Sequence, residues 1–108
     1  MRLLRSILHA CLWAGAASGV FAAGSAEDVQ RLRTRSLAAT CSQCHGTDGR
    51  AAAGSIVPAL AGRSEADTVQ QLLAFKAGSR PATVMTQLAK GYSDEQIRQL
   101  AAYFAAQR

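Results

Sequence analysis

A chain of 108 residues, 49% of them hydrophobic, has room for one small domain. Setting aside Arg2 and Arg5 with the N-terminal segment lowers the formal charge from +5 to +3. The remaining cations are scattered from Arg31 to Arg108 with little aromatic interleaving, which excludes a nucleic-acid groove and suits a basic rim steering an acidic protein partner.

The chain opens on "MRLLRS", followed by the uncharged apolar run "ILHACLWAGAASGVFAA" and small residues, the pattern of a secretory signal peptide. Cleavage after Ala22 fits the small-residue rule and a cut as late as Ala26 fits it too, so residues 1–22 read as signal and 23–108 as a single domain. His9, Cys11 and Trp13 leave with the signal. An uncut anchor is disfavoured because the run is short and broken by Gly15 and Gly19, so no span is expected after cleavage. Lipidation at Cys11 would require an even shorter apolar run, interrupted by Arg5.

Beyond the signal, Ala, Leu, Gln and Arg dominate and no stretch alternates apolar with polar residues, so the domain is expected to be all-α. A first helix is expected from about Ala26 to Cys44, with Glu27 and Asp28 in the dipole-favoured first turn and Gly46 as its stop. "GTDGRAAAGSIVPALAGRS" follows as a loop long enough to suggest that it wraps something. A second helix occupies "SEADTVQQLLAFKAG", with Ser64 as N-cap, Gly78 past its end, and Val69, Leu72 and Leu73 facing inward. "SRPATVMTQLAKGY" reads as another loop or short turn. The last helix starts at Ser93, with Gln96 completing a capping box, and runs to the end. Its residues Ile97, Leu100, Ala101 and Phe104 form one apolar face, to be buried against the first helix through Val29, Leu32 and Leu37.

"CSQCHGTDG" concentrates the chemistry: Cys41, Cys44 and His45 stand at i, i+3 and i+4 and leave one helical face together. In an oxidising compartment two cysteines suggest a disulfide, but so small a loop removes little unfolded-state entropy. Zinc wants four ligands, and a thioredoxin-type pair wants a preceding strand. C-x-x-C-H is the attachment signature of c-type haem, in which two thiols add to the vinyl groups and the histidine ligates iron. A haem also adds apolar surface to a domain whose aromatics after cleavage are Phe75, Tyr92, Tyr103 and Phe104. His45 is the lone histidine and Met85 the lone methionine left after cleavage. Met85 is therefore the expected sixth ligand, with Lys90 or Lys76 as substitutes. His/Met ligation fills both axial positions, which suits electron transfer and not oxygen or peroxide catalysis.

With these residues placed, the chain resembles the class I cytochromes c: an attachment motif closing helix one, a proline-bearing loop, a middle helix, a methionine loop and a C-terminal helix with an aromatic pair. The resemblance implies a small fold of three main helices around one covalent haem c, with the first and last helices crossing. It also implies that the Pro58 carbonyl in "IVPALAG" holds the His45 imidazole by its Nδ1–H. The stretch "FKAGSRPATVMTQLAKGYSDEQIRQLAAYFAAQ" is similar, from Phe75, Lys76 and Gly78 through Thr83, Met85 and Ala89 to Ser93, to haem subunits of flavocytochrome c sulfide dehydrogenases. That likeness implies a periplasmic, non-catalytic electron carrier, reduced by a flavoprotein (FAD) sulfide dehydrogenase subunit and passing electrons to other redox proteins. A free-standing soluble periplasmic shuttle, with which the chain shares "LAGR" and "FKAGSR", is the alternative.

Overall fold

The computed structural model describes residues 24–108; the expected signal peptide lies outside them. Helix α1, Ala26–Ala39, starts from a capping box. Ser25 Oγ accepts the Asp28 N–H at 3.1 Å, and the Asp28 carboxylate accepts the Ser25 N–H at 3.2 Å, satisfying two of the donors a helix N-terminus leaves open.

The expected single helix to Cys44 is interrupted. At Thr40 the backbone tightens: the Cys41 N–H bonds back to Ala38 O at 3.0 Å, and the Thr40 hydroxyl donates to Leu37 O at 2.7 Å. Competition of a threonine hydroxyl for a helix carbonyl is a local reason for the break. The path resumes as the one-turn helix α2, Ser42–His45, and stops at Gly46, whose φ of 84° and ψ of 161° are accessible essentially to glycine alone. A 3₁₀ turn, Thr47–Gly49, carries the chain away.

The long loop is closed at its base. Gly49 O accepts the N–H groups of Leu60 at 2.8 Å and Ala61 at 3.1 Å, and the Gly62 N–H reaches Phe104 O at 2.9 Å. Helix α3, Glu65–Ala77, follows with Ser64 as N-cap and left-handed Gly78 as C-cap, where the Ser79 N–H returns to Ala74 O. The stretch expected as a loop or short turn contains a further helix, α4, Met85–Lys90, which has no capping side chain and buries Ala89 completely. Helix α5, Asp94–Ala105, begins at the Ser93–Gln96 capping box and packs against both α1 and α3, while α4 packs on α3. Every regular element among the described residues is helical, and no helix among them is long and apolar enough to cross a membrane.

The core is thin. Ile97, Leu100, Ala101 and Phe104 are all buried, as the spacing of the last helix predicts, and each large one contributes about 1.5–3 kcal/mol of transfer free energy. Their contact on α1 differs from the expected one: Val29 and Leu32 are exposed, and Ala38, with Leu37 beside it, meets Leu100 and Phe104. The position of small Ala38 lets α1 and α5 approach closely just before Cys41, which packs on the same cluster.

Candidate haem-binding site

Cys41 is the N-cap of α2 with right-handed helical dihedrals, so the predicted i, i+3, i+4 relation with Cys44 and His45 survives the break in α1. The His45 N–H bonds to Cys41 O at 3.0 Å, which fixes these residues on one turn. Both thiols are free, Cys41 half-buried and Cys44 exposed. Burial pushes the Cys41 thiol up from its ordinary pKa, outweighing its contact with Thr40. A redox-active pair depends on the opposite shift.

His45 is buried, and its ring is oriented by one bond: Nδ1 lies 2.7 Å from Pro58 O. A carbonyl can only accept, so Nδ1 carries a proton, and in the neutral ring Nε2 keeps its lone pair. No hydrogen bond engages Nε2, although every fully buried side-chain polar atom among the described residues has a partner. Nε2 therefore remains accessible, the state required of a metal ligand whose other nitrogen is held by a carbonyl. Among the described residues no three or more His, Cys, Asp or Glu side chains are grouped so that they could hold a metal ion.

The turn behind His45 is tied down from the far side. Asp48 adopts φ 53° and accepts the Tyr103 hydroxyl at 2.6 Å, which raises the pKa of that phenol, while Arg50 reaches the Arg108 carbonyl at 2.5 Å. Gly49 leaves no room for a side chain, because a Cβ there would lie 2.8 Å from the Phe104 ring. Sequence reading missed Asp48, whose partner Tyr103 is 55 positions away.

Met85 is the first residue of α4 and is half-buried. The exposed apolar side chains of Val84 and Leu88 lie on either side of it in the chain. The two substitutes considered for it differ. Lys90 is exposed, whereas Lys76 is committed elsewhere, its Nζ donating to Tyr92 O at 2.8 Å and to Asp94 Oδ1 at 2.7 Å. The free imidazole nitrogen and the two thiols on its own turn form a donor set whose chemistry fits the attachment side of a haem c, while α4, which carries Met85, packs on α3. Two open surface grooves, one between α1 and α5 and one between α3 and α5, contain none of these residues.

A family model described as cytochrome c oxidase, cbb3-type, subunit III matches residues 25–104. The chain belongs to this family of c-type cytochromes. Among curated relatives, the cytochrome subunit of sulfide dehydrogenase from Chlorobaculum tepidum is 39% identical over 89 residues, 82% of this chain and 79% of that protein. Cytochrome c-554(548) of Halomonas halodenitrificans is 42% identical over 71 residues, 63% of this chain and 84% of that protein. Cytochrome c4 of Pseudomonas aeruginosa is 41% identical over 71 residues, but the chain spans only 35% of its length. Like these class I relatives, this cytochrome is an electron-transfer protein and not a catalytic subunit.

Proposed function

We propose that this cytochrome carries one haem, attached through thioether bonds at Cys41 and Cys44, with His45 and Met85 as axial ligands. When bound, the haem supplies reversible one-electron storage. The chain's own part is to orient and shield. Pro58 O holds the imidazole so that Nε2 faces outward, and the two thiols stand on the same turn. The single observation that carries the reading is the His45 Nδ1–Pro58 O bond, which selects the tautomer that a ligating histidine needs.

The electron donor in this proposal is a flavoprotein (FAD) sulfide dehydrogenase subunit, and the cytochrome passes electrons to other redox proteins. Similarity to the Chlorobaculum tepidum cytochrome subunit supports this pairing. The N-terminal segment would direct export to the periplasm, with cleavage after Ala22, since a cut after Ala26 would remove Ser25 and with it the cap of α1.

Haem staining of a denaturing gel tests attachment, because covalent haem survives denaturation. No staining after expression with a haem-maturation system would end the reading. Met85→Ala should keep the stain, lower the reduction potential and abolish the weak thioether-to-iron absorption band; an unchanged band would move the sixth ligand elsewhere. For the partner, the full chain should copurify with a flavoprotein and become reduced when sulfide is added. Purification as a lone haem protein, with reduction that salt strongly slows, would support a free shuttle instead.

A further inference from the structure

The Tyr92 hydroxyl lies 2.8 Å from Thr40 Oγ1, 52 positions earlier, at the junction of α1 and α2. The direction of this bond follows from proton counting. Thr40 spends its one hydroxyl proton on Leu37 O at 2.7 Å, so the Tyr92 phenol must donate to Thr40. The result is a chain of two hydrogen bonds from Tyr92 through Thr40 into the last turn of α1, directly before Cys41.

The other end of Tyr92 is held as firmly. Its backbone carbonyl accepts from Lys76 Nζ at 2.8 Å, and the same ammonium bonds Asp94 at 2.7 Å, so the C-terminal turn of α3 grips the residues between α4 and α5. Tyr92 is continuous with α4: the Gly91 N–H returns to Leu88 O at 3.0 Å and the Tyr92 N–H to Ala89 O at 3.3 Å. Met85 stands at the opposite end of that six-residue helix. The C-terminal end of the methionine helix thus meets the attachment segment through the Tyr92 phenol, and the same end is anchored to α3 by Lys76.

We propose that Tyr92, acting through Thr40, is a positioning residue that holds the α4 helix in register with the attachment turn and thereby keeps the Met85 thioether on the iron. This rests on the reading of Met85 as sixth ligand. The chain of hydrogen bonds does no electron transfer itself; it resists the outward swing of α4 by which Met85 would leave and an outside ligand would take its place. Loss of one such bond weakens the held arrangement by about fivefold.

The test titrates the ferric holoprotein with imidazole, which competes with the methionine, and follows the thioether-to-iron band. Tyr92→Phe and Thr40→Val should each raise imidazole affinity about fivefold and weaken the band. The double variant should go no further than either single one, because both break the same chain. Thr40→Ser, which restores the hydroxyl, should return affinity and band to those of the parent. Lower melting temperatures with unchanged imidazole affinity and band would assign Tyr92 a structural role only and overturn the proposal, as would additive effects in the double variant. Met85→Ala separates the two layers of the argument. If it abolishes the band and greatly raises imidazole affinity while Tyr92→Phe and Thr40→Val change neither, the ligand stands and the positioning role falls; if it changes neither, both fall.

Discussion

The two sides of the candidate site are built from different material. Around His45 the constraints are mostly main chain: the Pro58 carbonyl on the imidazole, the Gly46 dihedrals that turn the chain out of α2, and the Gly49 carbonyl that closes the loop on Leu60 and Ala61. Beyond the C-terminal end of the helix that Met85 begins they are mostly side chain, with Lys76 on the Tyr92 carbonyl and Asp94, and the Tyr92 phenol on Thr40. A main-chain constraint survives most substitutions at its own position and fails when a neighbouring backbone is forced to move. A side-chain constraint can be cut by deleting one atom. The histidine side is therefore expected to be stiff and the methionine side to open first under stress.

The largest effect should come from breaking the stiff side where only glycine fits. Gly46→Ala would place a Cβ 2.0 Å from Arg50 O at a φ of +84°, so destabilisation of about 3 kcal/mol or more is expected in denaturant unfolding, with poor haem incorporation. On the methionine side, Lys76→Met should cost about 1–2 kcal/mol through the lost bond to the Tyr92 carbonyl. Its mark should be faster amide exchange in α4 with α2 unaffected, and uniform loosening of both would contradict the contrast.

Acid provides a milder cut of the same clasp. The Lys76 hydrogen bond holds the Asp94 carboxyl below its ordinary value of 3.8. A carboxylate with a lowered folded pKa contributes stability that is present above the unfolded value and lost as pH falls through the folded one. The link between α3 and the α4–α5 junction should loosen as pH falls below about 4, and Lys76→Met should remove that part of the acid dependence. The smallest effect is expected at Pro58. Pro58→Ala keeps the carbonyl that binds His45 and loses only backbone restriction, about 0.4–1 kcal/mol, with absorption spectrum and reduction potential unchanged. A shifted potential would show that the ring and not the carbonyl sets the histidine.

This contrast also governs what could be read from sequence. Features encoded within a few residues were legible: the shared turn of Cys41, Cys44 and His45, the Ser64 and Ser93 caps, Gly78, and the buried face of α5 from Ile97 to Phe104. Helix α4 was not, because six residues are too few to display a period, Val84 offers no cap, and Ala89 alone is fully buried. The break at Thr40 looks like ordinary helix in composition, since the hydroxyl that competes for Leu37 O is a matter of geometry. Val29 and Leu32 suggested the inner face of α1 by hydrophobicity, yet the helix crossing selects Ala38 for its small size. The bonds that hold the methionine side, Tyr92 to Thr40 and Lys76 to Asp94, link positions 52 and 18 apart and carry no local signature.

The central claim, that Cys41 and Cys44 together bind one haem on an exported chain, is tested most directly by the intact mass of the purified protein under denaturing conditions. The account predicts a single species with the mass of residues 23–108 plus one haem, falling to the polypeptide mass without haem when both Cys41 and Cys44 are replaced by Ala. A parent protein with the polypeptide mass alone, or two mass units lower as a disulfide would leave it, would contradict it.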